Sequence, residues 1–183
     1  SNCGSMSLMS EQSIFSERLI IRQLNPSDLQ EQMLIESITK ILTPAVTHSL
    51  PSAFHSAADA ESVVSLLTGL MSEAMVFQFS LRSLPDCPIG LVFLAPEQTK
   101  SANSAHLGYL LAEQYWRQGL AFELLQALLT RLQDQGTFER IVAGVEADNI
   151  GSIKLLEKLG FELTSTQQEN HRFYQLLLTD FGK

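Results

Sequence analysis

The sequence predicts a mixed α/β domain, and three observations carry that prediction. Segments with the three-to-four-residue period of a helix alternate with segments of strand character, so the two element types are interleaved along the chain. The length of 183 residues suits one domain with a full core. A composition of 45% hydrophobic and 17% charged residues, with ten Gly and six Pro spread along the chain, excludes disordered, fibrous and low-complexity classes.

Ile14 to Leu24 reads as a strand, with Leu19 and Ile21 opposite Arg18, Ile20 and Arg22. Asn25-Pro26-Ser27 ends it, and Pro26 suits the start of a helix in which Leu29, Met33 and Ile41 form a loose apolar face. Thr43 to Ser56, rich in Pro, Ser and His, reads as a loop. Ala57 to Ala74 places Val63, Leu66, Leu67, Leu70 and Met71 on one face of a second helix. Met75 to Arg82 and Ile89 to Ala95 form a hairpin around Pro85-Asp86-Cys87-Pro88, and Ala105 to Ala112 extends it to a three-stranded meander. Gly119 to Gln135 is the most regular helix, with Phe122, Leu125, Leu128, Leu129 and Leu132 on one face and Gly136 at its end. Arg140 to Glu146 is a strand, and Asn149 to Leu159 is a short helix stopped by Gly160. Phe161 to Thr166 and Arg172 to Leu178 close the chain as a hairpin with Gln168-Glu169-Asn170 at its tip.

The formal charge of -8 lacks the basic footprint that a phosphate backbone requires, so no direct nucleic-acid partner is expected. A cationic amine suits an acidic surface, although net acidity also serves solubility. The two cysteines, Cys3 and Cys87, have no spacing that supports a disulfide framework or a metal site, so no metal is expected and the chain reads as reduced and cytoplasmic. No apolar run approaches the roughly 20 residues that span a bilayer, and no signal-peptide pattern opens the chain, so no membrane partner is expected. Ser1 to Ser5, ahead of Met6, read as a cloning remnant, which leaves residues 6–183 as a single domain, monomeric or homodimeric.

The chemistry concentrates between Tyr109 and Glu123, where a strand passes through a short turn centred on Gly119 into the long helix. No Ser, Thr, Asp or Asn stands at the N-cap, so the free N–H groups of the first turn lack a side-chain acceptor. Gly119 allows close approach to the backbone, and the helix dipole favours an anion there. A pyrophosphate in that place contacts N–H groups from about Arg117 to Phe122. A plain turn before an amphipathic helix accounts for the same pattern. The three-glycine dinucleotide fingerprint and the Lys-Ser/Thr ending of a P-loop are both absent.

The run from Gly108 to Leu125, GYLLAEQYWRQGLAFELL, resembles motif A of the GNAT acetyltransferase superfamily, whose pyrophosphate loop here ends in Gly119-Leu120-Ala121. Tyr115, Trp116, Gly119, Ala121 and Glu123 are similar to the Rim-type branch of ribosomal-protein N-terminal acetyltransferases. Asn149-Ile150-Gly151-Ser152 and Leu156-Glu157-Lys158-Leu159-Gly160-Phe161 resemble a second family segment. The resemblance covers about Phe15 to Leu178. It implies a mostly antiparallel, twisted sheet of about seven strands with helices on both faces, and acetyl-CoA as co-substrate. It further implies cofactor contacts at Leu111, Arg117, Gln118, Gly119, Leu120, Ala121, Phe122, Asn149 and Ser152, with Asn149 on the pantetheine arm and Ser152 near the thioester sulfur, placed to protonate the departing thiolate. The acceptor it implies is an amine, either a protein N-terminus such as that of a ribosomal protein or a small molecule, bound by the loop from Thr43 to Ser56 and the first two helices. The sequence departs from the family pattern at Trp116, Phe122 and His106.

Transfer to an amine needs the neutral form, so a group or water chain must take a proton. His106 on the central strand titrates near 6.5 when unperturbed and is the first candidate, and Glu146 at the end of the adjacent strand is the second. A structural His and a solvated strand-end carboxylate are the competing readings. Asn149 and Ser152, three residues apart, also read as an ordinary helix cap and first-turn residue. Tyr115 and Trp116 line an acceptor cleft or pack beneath the loop, with packing favoured, and Lys154 and Lys158 reach a ribose phosphate or simply solvate their helix. The competing function from another class is a catalytically weak or inactive acyl-CoA-binding module acting as a sensor or scaffold.

Overall fold

In the computed structural model, which describes residues 12–97, 103–168 and 170–183, the first apolar segment is two strands rather than one. β1 (Ile14–Phe15) and β2 (Leu19–Gln23) pair antiparallel. The chain turns between them because the Ser16 hydroxyl accepts from the Leu19 N–H at 3.1 Å. Among the described residues the sheet therefore has eight strands, where about seven were expected. The expected cloning remnant lies outside the described residues, as does Cys3. Cys87, in a chain whose cysteine spacing suggested no disulfide framework and a reduced state, is disulfide-bonded.

Pro26–Gln30 forms a separate 3-10 turn, and Glu31 after it is extended. The regular helix α1 (Gln32–Ile41) starts beyond that break, which resets the buried stripe to Leu34, Ile35, Ile38 and Ile41. Met33, expected on the apolar face, is consequently 42% exposed. The stretch read as a loop contains the four-residue helix α2 (Pro44–Thr47) and a 3-10 turn at Ser52–Phe54, and Val46 and Phe54 are buried. Helix α3 (Ala60–Met71) is capped by Asp59, which accepts from the Ser62 N–H at 2.8 Å. The Ser62 hydroxyl and N–H together hold the Asp59 carboxyl below its ordinary value.

The remaining elements are β3 (Met75–Leu81), β4 (Pro88–Glu97), β5 (Ser104–Leu111), α4 (Leu120–Gln135), β6 (Arg140–Glu146), α5 (Ile150–Lys158), β7 (Glu162–Gln168) and β8 (His171–Leu177). The strands lie in the order β1-β2-β3-β4-β5-β6-β8-β7, and every neighbouring pair is antiparallel except β5 with β6. Strand alternation sends Phe77, Phe79 and Val92 to one face and Val76 and Leu91 to the other. The first face packs against α4 and α5, where Leu120, Leu124, Leu125, Leu128, Leu129 and Leu132 are buried. The second is covered by α1 and α3. Each buried leucine contributes about 1.5–3 kcal/mol, so α4 is anchored far more strongly than its propensity alone provides.

Gly90 of β4 shows how tightly the sheet is packed. A Cβ there would overlap both the Phe79 ring and the Leu110 carbonyl oxygen. We expect Gly90→Ala to cost about 2–3 kcal/mol and to lower the melting temperature by about 4–12 °C, measured by thermal denaturation. An unchanged midpoint would show that both the Phe79 ring and the Leu110 backbone can yield without cost.

Candidate functional site

Strands β5 and β6 are joined by only three register pairs, Ser104–Arg140, Ala105–Ile141 and His106–Val142. Each strand then stays with its antiparallel neighbour, β5 with β4 to Leu111 and β6 with β8 to Glu146, and the two separate. Alternate backbone groups from Leu107 to Leu111 thus face a gap in place of a ladder partner, an edge suited to an extended chain that carries amides. The cleft that opens here measures about 1070 Å³.

Of the residues expected from the sequence, Leu111, Arg117, Ala121, Asn149, Ser152, His106 and Glu146 line this cleft. Gln118, Gly119, Leu120 and Phe122 are not among its walls; they form the adjoining turn and the first residues of α4. The Leu111 carbonyl accepts from the Trp116 indole N–H at 2.7 Å. Trp116 is 41% exposed at the cleft, so the packing expectation fails for it. The expectation holds for Tyr115, which packs against both core clusters.

The turn before α4 is built for its conformation. Gly119 is left-handed at φ 75°, and Arg117 shares that region at φ 63°, where a non-glycine residue costs about 1–3 kcal/mol. No side chain caps α4, and its first backbone hydrogen bond runs from the Glu123 N–H to the Gly119 carbonyl at 3.1 Å. The N–H groups of Leu120, Ala121 and Phe122 precede that bond and have no partner within the helix. Arg18 Nη1 donates to the Gln118 carbonyl at 3.0 Å. In a trans peptide this directs the Gly119 N–H the opposite way, so Arg18 sets the orientation of a potential anion donor. Lys158 Nζ lies 4.1 Å from the Phe122 ring centroid, which adds a cation beside the same helix end.

Glu123, the acidic residue of that first turn, is engaged by the β1–β2 turn. It accepts from the Ser16 hydroxyl at 2.5 Å, the Arg18 N–H at 2.8 Å and Arg18 Nε at 2.8 Å. Burial pushes its carboxyl up, but the Ser16 and Arg18 hydrogen bonds and the Arg18 charge outweigh it and hold the group below its ordinary value. The loop is therefore clamped to the β1–β2 turn by residues about 100 positions away in the chain.

Asn149 caps α5 by accepting from the Ser152 N–H at 3.2 Å, as its ordinary reading implies. Ser152 Oγ in turn lies 3.0 Å from the Tyr109 hydroxyl. Burial pushes the Tyr109 phenol up, partly offset by the Ser152 bond, so it stays protonated at neutral pH. Tyr109 extends from the face of β5 that meets α4 and α5. His106 lies on the other face at the last joined pair, with its Nε2 3.5 Å from Glu97 Oε1. Glu146 shares that face and stands opposite His171 across the β6–β8 ladder. Among the described residues no group of three or more His, Cys, Asp or Glu is placed to hold a metal ion. Tyr109, His171 and Arg18 were not singled out from the sequence. Tyr109 shares the Leu107, Tyr109, Leu111 spacing of a strand face, while Arg18 carries no local signal.

The Glu123 clamp has a testable pH signature. Its folded carboxyl lies below the unfolded value, so its stabilisation is present above an unfolded pKa of about 4.3 and is lost as pH falls through the folded value. Glu123→Gln should cost about 1–2 kcal/mol at pH 7, or about 2–8 °C in melting temperature, and the difference should shrink below about pH 4. A difference that persists unchanged at pH 3 would contradict an ionic clamp.

Residues 18–162 match the family model for the acetyltransferase (GNAT) domain. The chain is 25% identical over 158 residues to the uncharacterized N-acetyltransferase p20 of Bacillus licheniformis, covering 82% of this chain and 83% of that one. It is 27% identical over 78 residues to the uncharacterized protein YkkB of Bacillus subtilis, a match that spans 43% of this chain and 45% of YkkB. Among solved structures, RimL, a ribosomal L7/L12 alpha-N-protein acetyltransferase in complex with coenzyme A, superposes with a TM-score of 0.73 at 19% identity, covering 91% of this chain and 98% of RimL. That likeness shows the fold. With the family model spanning most of its length, the chain belongs to the GNAT family and is an acetyltransferase.

Proposed function

We propose that this chain transfers an acetyl group from acetyl-CoA directly to a primary amine within a ternary complex. The observation that carries the reading is the open β5–β6 gap ending at an uncapped helix N-terminus. The N–H groups of Leu120, Ala121 and Phe122, with Gly119 turned toward them by Arg18, hold the pyrophosphate. The edge of β5 and the Asn149 side chain hold the pantetheine arm. The thioester supplies the acetyl group and lies beside Ser152.

The acceptor enters from the face of the sheet that carries His106 and Glu146. His106 stands where the strands part and takes the amine proton, with Glu97 fixing the ring. Glu146 lies further along the gap and orients the incoming ammonium. As the nitrogen bonds to the acetyl carbon and the carbon–sulfur bond breaks, Ser152 gives its proton to the sulfur and takes one from the Tyr109 hydroxyl, and the proton that the nitrogen sheds on becoming an amide returns through water to Tyr109, so the phenol ends the step neutral. Likeness to a Rim-type enzyme in fold supports an N-terminal α-amine as one acceptor and leaves a small amine as the other. A single cytoplasmic domain, as expected from the sequence, suits this reading.

Thiol release from acetyl-CoA with a mixed panel of amines tests the proposal. Ser152→Ala should lower kcat on the order of 100-fold with little change in KM for acetyl-CoA, and His106→Asn should lower kcat/KM more than Glu146→Gln does. Tight acetyl-CoA binding with no release for any amine would assign the chain to the binding-module alternative. Equal activity of Ser152→Ala and the parent would remove Ser152 from the chemistry.

A further inference from the structure

The acceptor half of the cleft has a composition that the donor half does not require. Its wall comes from α2 and the turn after it, through Val46, Leu50 and Phe54, with Leu70 of α3 and Phe93 of β4. Phe54 and Phe93 meet edge to face with centroids 5.5 Å apart, so this wall includes a mutually packed aromatic pair. Its polar groups on the α2 side are the hydroxyls of Ser49 and Ser52. Among the described residues that line the whole cleft, Glu146 is the single carboxylate, and it lies on β6 at the polar end. The chain's charge of -8 therefore does not extend into the pocket.

We propose that the acceptor is a primary amine attached to an uncharged apolar skeleton, aromatic or branched, whose body lies against Phe54, Phe93 and Leu50. The inference rests on the acetyl-transfer reading above and narrows its substrate. The amino group points to the end of the cleft that holds His106 and Glu146, and the apolar body fills the other. A polyamine or aminosugar polycation is a poor fit, because each additional ammonium group loses water with no carboxylate to receive it. One unmatched apolar group in such a pocket is worth about 10-fold or more in kcat/KM.

Competing amines decide the matter, with rates expressed per neutral amine. Phenylalaninamide should exceed glycinamide by about 10-fold or more in kcat/KM and should exceed spermidine as well. Leu50→Asp should narrow the phenylalaninamide-to-glycinamide ratio by about 10-fold. Ala45→Asp, an exposed position on the same wall, should narrow it less and serves if the first variant does not fold. A peptide that begins with Phe separates two sources of the same chemistry: a further gain over phenylalaninamide indicates a polypeptide N-terminus, and parity indicates a small amine. Spermidine or glycinamide equalling phenylalaninamide would overturn the inference. So would an absence of turnover with phenylalaninamide in a protein whose melting temperature rises with acetyl-CoA, which leaves the transferase reading standing; no rise with acetyl-CoA would sink both.

Discussion

The parting of β5 from β6 after three paired residues is the constraint on which the rest of the site depends. Two parallel strands that stayed together to Leu111 and Glu146 would close the sheet and leave no route through it. Here each strand keeps an antiparallel partner on its outer side, so the sheet loses only the inner ladder. The unpaired edge carries backbone groups that need partners, and an extended amide-bearing chain supplies them. His106 at the fork and Tyr109 beyond it point to opposite faces, so one opening is reached from both the α4–α5 side and the α1–α3 side, as the proposed transfer between a donor and an acceptor requires.

A second constraint fixes the turn at the far end of the proposed donor route. The turn before α4 contains two left-handed residues, Arg117 and Gly119, and one of them is not glycine. Such a turn persists only if its surroundings over-determine it. Arg18 does so through the Gln118 carbonyl, and Glu123 does so by receiving Ser16 and Arg18 from the β1–β2 turn. The leucine face of α4 then holds the helix axis against the sheet. Packing, ion pairing and backbone geometry thus aim the same few N–H groups at one point.

Much of this was legible in the sequence because it is written locally. The leucine spacing of α4, the strand Arg140 to Glu146 and the Gly119-Leu120-Ala121 turn each depend on neighbours within a few residues, and the structure has them where expected. The parts that were not legible depend on distant or very short features. The break between β1 and β2 arises from one hydroxyl at Ser16, and α2 is four residues long, too short to show a period. Arg18 reads as an ordinary strand-start cation until the fold brings Gln118 and Glu123 beside it. Tyr109 reads as core until α5 places Ser152 against its hydroxyl.

The central claim is that the first N–H groups of α4 receive the pyrophosphate, and amide chemical shifts report on them one by one. Titrating the 183-residue chain with desulfo-CoA in a ¹⁵N-labelled sample should move the amides of Gly119, Leu120, Ala121 and Phe122 most, with smaller shifts along Leu107 to Leu111. ATP at the same concentration should leave the β5 edge unmoved. Saturable binding that shifts amides elsewhere while those of α4 stay in place would contradict the claim.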